Sequence, residues 1–137
     1  MAKEIKTKDL RQGAMLMAGP HEVYEMLMDS RKHSAFTDAK ARISRKVGGR
    51  FTAYDDWIEG RNLRLVKDRE IVQEWRGADW PKGHYSTVTI TLKRSGGGTK
   101  LMFSQKGIPA DKYADIRDGW KEWYWEPMKA YIAESGE

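Results

Sequence analysis

The chain has 137 residues and a mass of 15.8 kDa, enough for one domain with a sizeable core and no covalent staples. Charged residues make up 33% and the mean hydropathy is −0.77, yet six Trp, six Tyr and three Phe exclude a disordered chain. The formal charge of +5 arises entirely within residues 1–50, and the absence of cysteine excludes disulfides, thiolate metal sites and a Cys nucleophile.

The N-terminal stretch lacks the apolar run of a signal peptide, and Ala14 to Ala18 is far too short to span a membrane. A cytoplasmic protein with no membrane insertion is therefore expected. Residues 4–17 read as a first strand. Gly19-Pro20 then opens a short helix, with proline at an early position where its missing N–H costs little. Val23, Tyr24, Met26 and Leu27 give that helix an apolar face, and a second short helix covers Ser30 to Phe36.

From residue 40 the pattern turns to strands, expected over 40–46, 50–55, 57–67 and 70–77. Thr87, Thr89 and Thr91 alternate with Val88, Ile90 and Leu92, the clearest period-2 stretch in the chain. Gly96-Gly97-Gly98 separates it from a further strand through Leu101 and Phe103, as a hairpin turn requires. After Gly107-Ile108-Pro109 the period changes. Tyr113, Ile116, Trp120, Trp123, Tyr124, Met128, Tyr131 and Ile132 recur every three or four residues, a long helix with one broad aromatic face. Asp111 is its expected N-cap, Pro127 is expected to kink it, and Gly119 implies close approach to another element. The order predicts an α+β domain over 1–137: a curved antiparallel sheet of about seven strands gripping a long C-terminal helix, with two short helices between strands 1 and 2.

Gly48 to Val66, Ile71-Val-Gln-Glu-Trp-Arg76, Trp80 to Thr89, Gly107-Ile-Pro109 and Gly119-Trp-Lys-Glu-Trp-Tyr124 together resemble the family of activators of heat-shock-protein-90 ATPase homologues. The likeness is to the second domain of the two-domain eukaryotic cochaperone. It implies membership of the START-like, or SRPBCC, superfamily, whose helix-grip domains enclose a largely apolar cavity between sheet and helix.

Phe36, Phe51, Tyr54, Trp75, Trp120, Trp123 and Tyr124 are the candidate walls of such a cavity, with the first two helices gating entry. The same rings would serve equally as a filled core, and periodicity does not separate the two. Arg42, Arg45 and Lys46, with Trp80 in a Gly/Pro loop, form a candidate surface for docking a chaperone protein. The basic segment reads equally as a strand edge guarded against pairing. His21, His33 and His84 lack metal-ligand spacing and read as surface, turn or structural residues. Asp55, Asp56 and Glu59 crowd a hairpin turn, where solvation is the ordinary state. No nucleophile–base motif occurs, so an acid–base enzyme of cyclase or hydrolase type would have to use Tyr54, Glu74 or Asp56. No RNA-binding or zinc-finger pattern occurs either, which leaves nucleic acid as an unexpected partner. The leading expectation is a non-enzymatic domain, without a cofactor, that binds a small apolar or amphipathic molecule. The competing one is a chaperone-interaction module.

Overall fold

The computed structural model describes residues 5–135; the expected strand start at residue 4 lies outside them. The strands are β1 (Thr7–Leu16), β2 (Arg42–Ile43), β3 (Arg50–Ala53), β4 (Ile58–Val66), β5 (Glu70–Gly77), β6 (Ser86–Ser95) and β7 (Gly98–Pro109). They form one antiparallel sheet in the order β1-β7-β6-β5-β4-β3-β2. Helices α1 (Pro20–Met28) and α2 (Ser30–Thr37) join β1 to β2, and the chain ends in a long helix. The sheet is curved, and its concave side holds the helices; this is the α+β helix-grip arrangement that the sequence predicts. No helix among the described residues is long and apolar enough to cross a membrane.

The period-2 pattern of β6 is realised directly. Val88, Ile90 and Leu92 are buried on the concave side, while Thr87 and Thr91 face solvent. Cross-strand neighbours Leu101, Phe103 and Gln105 on β7 continue the same layer. The hairpin turn narrows to Gly96-Gly97, with Gly96 at φ 57°. Gly107-Ile108-Pro109, expected to be a break, stays in β7, where Pro109 pairs with Thr7 at the strand's end, past the last β6 partner at Lys106, so that a missing N–H is tolerated.

Strand β2 is much shorter than expected. The cause is Asn62, fully buried on β4, whose amide donates to the carbonyls of Ser44 (2.7 Å) and Lys46 (3.1 Å). Gln73 donates to its side-chain oxygen at 3.0 Å. Capturing two carbonyls in this way folds 44–49 into a loop instead of a strand.

The C-terminal helix starts with a 3-10 turn at Ala110–Lys112 and continues as α3 (Tyr113–Trp120). It then widens into a π turn at Lys121–Trp125 and resumes as α4 (Glu126–Ser135). Asp111 sits inside the 3-10 turn and caps nothing, which corrects the expected N-cap. Pro127 makes no N–H available to the carbonyl of Trp123, four residues back, and the widened turn falls there. The Tyr54 hydroxyl donates to that carbonyl instead.

Where β4 crosses β3 and β5, Gly60 leaves no room for a side chain. A Cβ there would collide with the Glu74 carbonyl and stand 2.6 Å from the Phe51 ring. Gly60→Ala is expected to destabilise the domain by about 2–3 kcal/mol, since both obstacles are packed and cannot retreat. A fall in the urea midpoint at unchanged slope checks it.

Candidate functional site

Two glutamines on the sheet set the position of the long helix. Gln105, fully buried on β7, accepts a hydrogen bond from Trp120 Nε1 at 2.7 Å and donates to Ser86 Oγ at 2.9 Å. Ser86 in turn donates to the Trp75 carbonyl at 2.9 Å. Gln12 on β1 accepts from Trp125 Nε1 at 2.7 Å and donates to the Arg117 carbonyl at 2.8 Å. Each indole N–H that the helix buries against the sheet thus finds an amide oxygen, as burial of a polar group requires.

Around this relay the rings pack edge-on and tilted. Trp120 lies 4.4 Å from Phe103, 4.6 Å from Tyr124 and 5.6 Å from Trp75, centroid to centroid. Phe103 and Trp125 are buried against each other on the β1 side of the interior. Toward β3–β5 the packing stops short and leaves a cavity of about 330 Å³. Tyr54, Trp57, Ile58 and Trp75 line it from the sheet. Asp115, Ile116, Gly119, Trp120, Trp123 and Tyr124 line it from the helix. Trp57 is 41% exposed, Trp123 54%, and Asp115 is exposed as well, so these three mark the mouth.

The sheet-side lip is a strained turn. Tyr54, Asp55 and Asp56 have φ of 50°, 55° and 73°, three left-handed residues in succession, none of them glycine. Reciprocal bonds hold it: Asp55 N–H donates to the Lys40 carbonyl at 3.0 Å, and Lys40 N–H to the Asp55 carboxylate at 2.9 Å. This turn swings Tyr54 and Trp57 onto the cavity. Burial pushes the Tyr54 hydroxyl up to about 12 and raises that of Tyr124, which is buried, well above the usual tyrosine range. Both are uncharged at neutral pH.

Five of the seven expected wall residues, Tyr54, Trp75, Trp120, Trp123 and Tyr124, therefore meet at one cavity. The other two do not. Phe36 packs on Tyr124 at 5.9 Å from outside the wall, and Phe51 is buried against Gly60 at the β3–β4 crossing. Helices α1 and α2 contribute no lining residue, which corrects their expected role as a gate. Trp57, Ile58, Asp115 and Ile116 were not anticipated. Gly119 does not mark the expected close approach to another element. A Cβ there would touch only Trp123, at 3.5 Å, so the glycine adjoins open cavity rather than a packed element.

Trp80 is not an exposed anchor; it is 3% exposed, folded onto Trp75 at 5.3 Å, with its Nε1 lacking a protein partner. Arg42, Arg45 and Lys46 are all exposed, and Arg45 is ion-paired with Glu25 on α1. Asp55 and Asp56 are exposed on the turn, and Glu74 lies on the opposite, convex face of the sheet. The three groups considered for acid–base chemistry, Tyr54, Glu74 and Asp56, are thus not brought together.

His33 corrects the expectation of a surface or turn residue. It is 4% exposed on α2, and its Nε2 shares a hydrogen bond with the Tyr124 hydroxyl at 3.0 Å. With Phe36 it clasps α2 onto the far side of the cavity wall. Burial pulls its pKa down from 6.5 to about 4. The unfolded chain therefore binds a proton below about 6.5 that the folded chain takes up only below about 4. Stability contributed by neutral His33 is complete above pH 6.5 and is lost as pH falls toward 4, on the order of 3 kcal/mol in all. Urea titrations across pH 7 to 4 are expected to show this slope, and His33→Gln to flatten it.

Residues 17–133 match the family described as "Activator of Hsp90 ATPase homolog 1-like protein". Human "Activator of 90 kDa heat shock protein ATPase homolog 1" is 34% identical over 113 residues, 82% of this chain and 33% of that protein. The Dictyostelium discoideum homolog is 34% identical over 120 residues, 87% of this chain and 31% of its own length. The chain thus spans about a third of the length of these relatives. Among solved structures, an HSP90 activator from Plasmodium falciparum superposes with a TM-score of 0.85 at 23% identity, over 91% of this chain and 96% of that one. A Mesorhizobium loti protein does so with 0.81 at 19% identity, over 93% and 98%.

Proposed function

The chain belongs to the family of Activator of Hsp90 ATPase homolog 1-like proteins, and from that premise we propose that it binds a small apolar or amphipathic molecule between sheet and helix. The observation that supports this reading is the cavity itself. Six aromatic side chains, those of Tyr54, Trp57, Trp75, Trp120, Trp123 and Tyr124, surround about 330 Å³ of unfilled space. That volume lies near the lower end of small-molecule sites, roughly 300–1,000 Å³, and suits a compact ring system better than a long-chain lipid. The two tyrosine hydroxyls are already engaged, with the Trp123 carbonyl and with His33, so they offer little to a polar ligand. Only Asp115 brings a charge, and it does so at the mouth, where a hydrogen-bond donor or cationic end of the ligand would remain near water. Affinity would come from apolar burial, about 25 cal/mol per Å² before ordering costs, with stacking on the rings added.

Gly119→Leu places a side chain in the cavity without a backbone penalty. It is expected to abolish binding of aromatic probes such as naphthalene or indole while leaving the fold and the thermal midpoint intact. Chemical-shift changes at the Trp75 and Trp120 indoles are expected in the parent chain. A parent chain whose spectrum ignores a broad set of such probes would overturn the reading.

A second reading rests on the relatives' names and their 34% identity: a module that docks on heat-shock protein 90. Lys40, Arg42 and Lys46 are exposed and make no ion pair among the described residues, while Arg45 is paired with Glu25 and Trp80 is buried. It is expected to give binding that weakens with salt and with Arg42→Glu. Absence of binding at low salt in a pull-down with the purified chaperone would end it.

A further inference from the structure

In the chain order, all surplus positive charge lies within the first fifty residues; the strand register redistributes it. Residues that face away from the helices fall into rows across the sheet. One row runs Arg50, Arg61, Glu74, Thr87, Lys106 through directly paired positions. The next runs Arg64, Val72, Thr89, Ser104, Arg11, and another sets Lys93 opposite Lys100. At the far edge Arg42 leads through Thr52 and Glu59 to Arg76. Counting every convex-face position, this side holds nine Lys or Arg against four acids, Asp9, Glu59, Glu70 and Glu74, a surplus of five. The remaining 16 basic and 16 acidic residues of the chain cancel.

The acids on this face are already occupied or outnumbered. Glu59 is shared between Arg50 and Arg76, both at 3.6 Å, and accepts from the Tyr85 hydroxyl. Glu70 pairs with Arg64 at 2.7 Å, and Asp9 accepts from the Gly107 N–H. Among the described residues, Arg11, Arg42, Arg61, Lys93, Lys100 and Lys106 have no carboxylate within ion-pair distance, and all six are exposed. Two pairs of like charge, Arg50 opposite Arg61 and Lys93 opposite Lys100, occupy directly paired positions, an arrangement that destabilises a sheet. Guarding an edge does not account for it, because Arg61, Lys93, Lys100 and Lys106 stand on inner strands.

We propose that the convex face of the sheet, which takes in Arg42 and Arg50 from the 40–50 segment, is a docking surface for an acidic protein surface, distinct from the cavity. Its size fits. Six strand spacings of about 4.8 Å by four row spacings of about 6.8 Å cover roughly 800 Å², one partner's share of a standard protein–protein interface. Its chemistry selects a protein over other polyanions. The one exposed ring beside the rows, Tyr85, is tied through its hydroxyl to Glu59, no aromatic side chain stands at the paired positions to stack on successive bases, and the interspersed carboxylates would repel an unbroken line of phosphates. A protein can set its own basic groups against them, and charge complementarity of this kind fixes register and raises the association rate. Met15 and Met102, exposed near the Lys93–Lys100 pair, give one end of the face an apolar contact.

The test titrates the full chain, by fluorescence anisotropy at low and raised salt, with a labelled poly-glutamate peptide, an oligo-deoxythymidine and phosphatidylserine vesicles. Poly-glutamate is expected to bind with strong salt dependence, and Arg61→Glu/Lys100→Glu to weaken it about tenfold or more. Lys32→Glu/Lys121→Glu, the same change of net charge on the helical side, is expected to leave it within about twofold. Circular dichroism confirms that both variants fold. Equal losses in the two variants reduce the effect to net charge and overturn the proposal. So does tighter binding of the oligonucleotide or of the vesicles, or no binding of the peptide at low salt. Filling the cavity with Gly119→Leu is expected to leave this binding unchanged, which separates it from the ligand reading.

Discussion

The hydrogen bond between the Trp120 indole and Gln105 governs the interior of this protein. A fully buried amide oxygen needs a donor, and a buried indole N–H needs an acceptor; satisfying both sets the height of the helix above the sheet. From Gln105 the chain of bonds passes through Ser86 to the backbone of Trp75, so the helix is tied to three adjoining strands rather than merely laid on them. With the helix pinned there and again at Gln12–Trp125, it cannot sink to close the space beside Trp75. The cavity is what remains between a helix held at a fixed height and a sheet that curves away from it.

The helix is also released from regularity at the point where the cavity needs it. Pro127 withdraws the usual donor from the Trp123 carbonyl, the turn before it widens, and Tyr54 supplies the replacement from across the mouth. One hydroxyl therefore satisfies an orphaned helix carbonyl and draws the strained 54–56 turn against the helix. The strain in that turn is offset by its bonds to Lys40, and the result is a mouth whose two lips are bonded to each other.

Much of this was legible in advance, and the part that was not has a physical reason. The alternation from Thr87 to Leu92 and the three-and-four spacing from Tyr113 to Ile132 report burial on one side, and burial is what the sheet and the helix show. Five cavity rings were identified because bulky residues on inward positions have nowhere else to point. Phe36 and Phe51 share that property yet lie outside the wall, since an inward direction says nothing about whether another side chain arrives to fill the gap. Trp80 sits in a loop that looks exposed, and only the tertiary approach of Trp75 buries it. The extent of β2 depended on Asn62, a residue remote in sequence that captures its carbonyls. Charge was the most misleading, because register puts Lys93, Lys100 and Lys106 on the same face of the sheet as arginines from the first half of the chain.

Strand order carries one more consequence, for assembly of the fold in time. Strands β2 through β7 are each hydrogen-bonded to their neighbours in sequence, so they can zip up as successive hairpins with short loops to close. β1 alone breaks that pattern: Thr7 meets Pro109, nearly the whole chain away. Its ordering must therefore wait until β7 has left the ribosome, and it bears the largest loop-closure entropy in the domain. Within this sheet, the strand made first pairs only after the strand made last. It is also an edge strand, free on one side, and so a segment whose exchange between two copies would leave the β2–β7 ladder unbroken.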